Sequence, residues 1–203
     1  MSVSKTIFLV VLIVICFAGD QTIRGLEWKV DDGGLASAPL VVSQKGKAGF
    51  RRLLSPKTGI EFKNLLGNER SIRNRNLLSG SGVAAGDFDG DGWCDLYFCG
   101  LDNGNRLYRN LGDWKFEDVT ERTGVACAGQ DSTAAGFADV DGDGDLDLLV
   151  NALGRGTRLF RNDGNFTLVE ITKGCGLAST AGSMSMTLAD IDGDGDLDLY
   201  VAN

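Results

Sequence analysis

Three stretches of the chain repeat one nine-residue pattern: DFDGDGWCD from Asp87, DVDGDGDLD from Asp139 and DIDGDGDLD from Asp190. The copies begin 52 and then 51 residues apart. A fixed period of that length means an array of one supersecondary unit, each copy packing on the next. The likeness extends beyond the acidic phrase. NRLYRN at Asn105–Asn110 returns as TRLFRN at Thr157–Asn162, and Thr120…Gly124-Val125-Ala126 returns as Thr172…Gly176-Leu177-Ala178.

Each unit reads as short strands around tight turns. Ahead of each acidic phrase apolar residues alternate: Val83 and Ala85, Ala135 and Phe137, Met186 and Leu188. That two-residue period belongs to a strand with one buried face. After the phrase come the apolar triplets Leu96-Tyr97-Phe98, Leu148-Leu149-Val150 and Leu199-Tyr200-Val201. A third strand follows at RLYRN or RLFRN, and a fourth near Phe116–Thr120 or Leu168–Thr172. Four strands in about fifty residues match a β-propeller blade; a parallel β-helix, the rival array, has shorter turns and a smaller period. The fold class expected is therefore all-β, a partial β-propeller of four-stranded blades. The units run 81–132, 133–184 and an incomplete 185–203, about two and a half blades, preceded by strands over 20–80 that include Ile60-Glu61-Phe62. Closure takes roughly four to eight blades, so the sequence reads as part of a larger propeller.

The acidic phrases point to a cation. With the first Asp as position one, carboxylates fall at one, three, five and nine: Asp87, Asp89, Asp91 and Asp95; Asp139, Asp141, Asp143 and Asp147; Asp190, Asp192, Asp194 and Asp198. Alternate residues of a tight loop can turn toward one centre, and hard oxygen donors in that number suit Ca²⁺ better than Mg²⁺, which demands near-octahedral geometry. Position seven, held by Trp93, Asp145 and Asp196, would give a backbone carbonyl. Glycine at position six, Gly92, Gly144 and Gly195, permits the sharp bend. One Ca²⁺ per loop would halve the excess of four negative charges. An EF-hand loop shares positions one, three and five but needs an acid at position twelve, where Phe98, Val150 and Val201 stand. The nonapeptide period of glycine-rich RTX repeats is not seen.

Composition narrows the chemistry. The net charge of −8 gives no basic stripe, which argues against a nucleic-acid partner. With no histidine, Ser-His-Asp and Cys-His catalysis are excluded within this chain. At the N-terminus Lys5 precedes the apolar run Ile7–Ala18 and then Gly19-Asp20, the pattern of a secretory signal peptide over 1–19. The run is too short for a membrane span, so none is expected after cleavage. The expected location is secreted, extracellular or periplasmic. Export leaves Cys94, Cys99, Cys127 and Cys175, an even number in a compartment where disulfides persist, with free thiols as the alternative.

In GSGVAAGDFDGDGWCDLYF, FADVDGDGDLDLLVN and LADIDGDGDLDLYVAN, together with NRLYRN, the sequence resembles the FG-GAP/VCBS repeats of integrin-α-type propellers. The likeness is narrower to the bacterial cartilage-acidic-protein-like group that carries an ASPIC/UnbV domain. This resemblance implies a calcium-binding extracellular propeller, commonly seven-bladed, used in cell adhesion or ligand binding. The expected partner is an extracellular protein or glycan, and no catalytic residues are expected. The competing function is the propeller part of a Ca²⁺-dependent lyase or hydrolase acting on carbohydrate, which would need a base or nucleophile outside the acidic loops.

Overall fold

The computed structural model describes residues 29–30, 36–37, 50–79, 81–177 and 179–202. Residues 1–19, where a signal peptide was expected, lie outside them. The chain forms two compact units, Met1–Arg51 and Arg52–Asn203. In the first, β1 (Lys29–Val30) and β2 (Ala36–Ser37) pair antiparallel.

The second unit carries the repeats. Strands β3 (Val83–Gly86), β4 (Asp95–Phe98), β5 (Arg106–Asn110) and β6 (Phe116–Asp118) form one four-stranded antiparallel sheet in chain order. Strands β7 (Ser132–Ala138), β8 (Asp147–Ala152), β9 (Gly156–Asn162) and β10 (Leu168–Glu170) form a second with the same order. The third copy contributes a pair, β11 (Ser185–Ala189) and β12 (Asp198–Ala202). The first strands of successive copies lie side by side, β3 by β7 and β7 by β11. The described chain is thus all-β in its repeats, antiparallel and propeller-like.

The core sits between the first two sheets. Alternation along β4 sends Tyr97 to one face and Leu96 and Phe98 to the other. Tyr97, Leu107, Val119 and Val125 of the first repeat are buried with Leu148, Val150 and Phe160 of the second. The Tyr97 hydroxyl donates to the Val125 carbonyl at 2.7 Å and accepts from Asn105 Nδ2 at 2.6 Å, so its polar atom is satisfied at full burial.

The segment before the first repeat departs from the expected strands. It forms α1 (Ser55–Thr58), α2 (Asn68–Arg73) and a 3-10 turn at Arg75–Ser79, and Ile60-Glu61-Phe62 is not a strand. It lies on the outer face of the first sheet. Phe62 stacks on Phe98 with ring centroids 5.2 Å apart, and the Glu61 amide donates to the Tyr108 hydroxyl at 3.3 Å. These side chains supply the partner surface, so the backbone needs no ladder to stay in place. Arg70 pairs with Asp102 and with Asp131 and so ties this segment to the turn after β4 and to the residue that precedes β7. The fourth strands end early: β6 stops at Asp118, whose carboxylate accepts the Thr120 amide at 3.0 Å as α3 (Thr120–Thr123) begins.

The expected disulfides are also corrected: Cys94, Cys99, Cys127 and Cys175 are all free thiols. Cys94 lies in the first acidic loop, whereas Cys175 follows β10 at the other end of its sheet. Cys99 and Cys127 are buried in the core, where loss of hydration pushes the Cys99 thiol up to about 12.

Candidate metal centres

Each acidic loop joins the first and second strands of its repeat, and the same amide pattern recurs in all three. Both oxygens of the position-one Asp accept backbone N–H groups of the loop. Asp87 takes Asp91 N at 3.1 Å and Gly92 N at 2.7 Å. Asp139 takes Gly142, Asp143 and Gly144 N at 2.8, 3.2 and 3.0 Å. Asp190 takes Gly193 and Gly195 N at 2.7 and 3.1 Å. The position-five carboxylates, Asp91, Asp143 and Asp194, each accept the amide of position seven, on Trp93, Asp145 and Asp196, at 2.9 Å. These amides spread the negative charge that an unstructured acidic run would leave in mutual repulsion.

The glycines make that wrapping possible. Positions four and six are left-handed in every copy: φ is 71° and 88° at Gly90 and Gly92, 75° and 95° at Gly142 and Gly144, and 78° and 96° at Gly193 and Gly195. No atom would meet a Cβ added at any of the six, so the requirement is the backbone angle and not space. The sequence reading assigned the bend to position six alone.

Position nine is structural as well as acidic. Asp95 is fully buried, and its two oxygens accept Phe88 N at 3.0 Å and Asn110 N at 2.7 Å. Asp147 repeats this with Val140 N at 2.9 Å and Asn162 N at 2.8 Å. One carboxylate thus clamps its loop to the third strand of its own repeat. Burial pushes the Asp95 carboxyl up to about 6 against the opposing pull of those amides, with Asp89 and Asp91 adding to the rise. Asp147 is raised for the same first cause. In the third copy Asp198 is only half-buried and accepts Ile191 N at 2.9 Å.

Carboxylate oxygens converge in each loop. Asp87, Asp89 and Asp95 bring three oxygens within 4.8 Å of one another, as do Asp139, Asp141 and Asp147, and as do Asp190, Asp192 and Asp194. Of the expected ligands, Asp91 and Asp143 stand outside the triads of the first two loops, and Asp198 outside that of the third. The side chains of Asp145 and Asp196 are exposed, and Trp93 is 53 % exposed beside Gly112. The donors are all hard oxygen, and every carboxylate oxygen that accepts one amide keeps a further lone pair. Asp89 Oδ2 is buried without an aligned hydrogen bond. Such a set can hold a divalent cation.

The contact of Arg109 with the loop was missed by sequence reasoning, which placed the residue only in the third strand. Its Nε lies 2.5 Å from Asp89 Oδ2 and its Nη2 2.8 Å from Asp91 Oδ2, so a guanidinium leans on the first loop. Phe166 of the second repeat backs it: Arg109 and Arg122 lie 5.2 and 3.7 Å from the Phe166 ring centroid, and Phe88 meets that ring edge-on at 5.6 Å. Asn162 Nδ2 also donates to the Phe88 carbonyl at 2.7 Å, so the second repeat braces the loop of the first.

Tandem antiparallel four-stranded sheets, each with an acidic loop between its first two strands, define a propeller-like repeat protein. The chain belongs to the FG-GAP-like repeat family, whose model matches residues 87–150 and 151–201, more than half its length. A comparison with curated proteins found no match.

Proposed function

We propose that the chain is a calcium-binding β-propeller module of an exported protein, acting in adhesion or ligand recognition and not in catalysis. The observation that supports this is the convergence of three carboxylate oxygens within 4.8 Å in each of three loops, at positions one, three and nine in the first two and one, three and five in the third. Ca²⁺ takes six to eight oxygen ligands at about 2.3 to 2.6 Å. The Asp side chains, the position-seven carbonyls of Trp93, Asp145 and Asp196, and water supply them, one ion per loop. The signal-like segment 1–19 accords with an extracellular or periplasmic setting, and among the described residues no helix is long and apolar enough to cross a membrane. The partner on this reading is a protein or glycan, and the likeness to the ASPIC/UnbV group belongs to the same reading.

Calorimetric titration of calcium into the chain, paired with thermal melts with and without chelator, tests this. Each site loaded at one hundred times its Kd adds about 2.7 kcal/mol. Absence of binding heat together with an unchanged melting temperature would overturn the calcium reading.

A further inference from the structure

The end of the second sheet opposite its acidic loop carries the reverse charge. A cleft of about 630 Å³ opens between the start of β9, the residues after β10 and the connector at 179–180. Arg155, Arg158 and Lys173 line it against a single carboxylate, Glu170, in a chain whose net charge is −8. The Arg158–Glu170 pair is long, at 3.8 Å. Arg155 and Lys173 are exposed and have no acidic partner among the described residues.

The cleft is built rather than incidental. Gly156 (φ 69°) packs so closely on Ser179 that a Cβ would collide with the Ser179 carbonyl, and its amide donates to the Ala181 carbonyl at 3.3 Å. The connector wall is thereby fixed to β9. Thr157 and Thr172 are committed to internal hydrogen bonds, on Asn151 and Glu170, which leaves Arg155 and Lys173 as the cations free to meet a ligand. A cleft at the same end of the first sheet gives the contrast. It is about 350 Å³, and there Arg106 and Lys63 face Asp118 and Glu61, so its charges cancel.

We propose that the cleft of the second repeat binds an oxyanion: the sulfate, phosphate or carboxylate group of a small polar ligand. Guanidinium and ammonium groups held without a full set of counter-charges are the chemistry that recognises such a group. No large apolar side chain lines the cleft, which favours a hydrophilic ligand over an apolar one. The site lies away from the acidic loops, so it stands or falls independently of their calcium.

The test titrates the full calcium-loaded chain with inorganic sulfate, a sulfated monosaccharide and its unsulfated parent, followed by NMR or calorimetry. Both sulfated probes are expected to bind. Tighter binding of the sulfated sugar identifies a saccharide-borne group, and equal binding identifies the ion alone as sufficient. The Arg155→Ala/Lys173→Ala double variant should weaken sulfate about tenfold or more, a loss of about 1.4 kcal/mol or more. Its melting temperature should be unchanged because both side chains are exposed and unpaired. Glu170→Gln, which removes the lone carboxylate, should tighten binding. Equal affinity in the double variant, or no preference for the sulfated sugar over its parent, would overturn the proposal. A calcium isotherm on the same sample reports the acidic loops separately.

Discussion

The first and second repeats share a strand order and a loop, yet their loops are electrostatically different. In the first, Arg109 reaches Asp89 and Asp91. In the second, the equivalent Arg161 turns away and pairs with Asp163, Nε to Oδ1 at 2.6 Å. The cause is legible one repeat-length apart, because Leu111 stands where Asp163 stands and offers Arg109 no acceptor. The turn aromatics differ likewise. Trp114 and Phe166 occupy the same left-handed position, φ 62° and 65°, but Trp114 is 61 % exposed while Phe166 packs on Phe88 under two arginines. The loop of the first repeat is therefore completed by its neighbour, which places an aromatic ring against the arginine.

That comparison can be broken in order of expected effect. Phe166→Ala should destabilise the fold by about 3 kcal/mol, the low end for a large aromatic because the ring is only half-buried. Trp114→Ala should stay within about 0.5 kcal/mol, as an exposed position does. Equal losses in denaturant melts would show that the neighbour does not brace the loop. Arg109→Ala should cost the metal-free chain about 1 to 2 kcal/mol, since it strands the buried Asp89 carboxylate, whereas Arg161→Ala should cost about 0.5 kcal/mol or less. The gap should shrink on adding calcium, which replaces the guanidinium as counter-charge. Asp163→Leu sharpens the point: it releases Arg161 toward Asp141 and Asp143 and should lower calcium affinity at the second loop by about threefold, read by calorimetry.

A separate effect follows from Asp95. Its folded pKa is raised above the unfolded value near 4, so it favours folding below that value, and this contribution is lost as pH rises through about 6. Asp147 acts in the same direction. Metal-free stability should therefore fall between pH 4 and 6, the Asp95→Asn variant should flatten the slope, and calcium affinity should rise across the same window as protons cease to compete. A slope of the same size in the Asn variant would assign the effect elsewhere.

Much of the architecture is legible in the sequence. The period, the strand triplets and the paired aspartates at alternate positions all act through nearest neighbours in the chain, and those interactions survive unchanged from one copy to the next. The Ile60-Glu61-Phe62 triplet misled because a short apolar alternation looks the same whether it pairs in a ladder or, as here, lays the Phe62 ring on Phe98 and donates the Glu61 amide to the Tyr108 hydroxyl. The cysteines misled because an even count carries no information about distance, and Cys94 and Cys175 lie at opposite ends of different sheets.

The sequence by itself determined the repeat, the all-β class and the oxygen-rich loops, because glycine φ preferences and strand alternation are local properties of each fifty-residue unit. The tertiary structure alone decided which arginine meets a loop, that Asp95 and Asp147 are buried clamps, and that an uncancelled basic cleft forms in the second repeat. Those outcomes depend on which side chains are brought together from different strands and on how much water is excluded between them, and burial and counter-charge do not exist until the sheets pack.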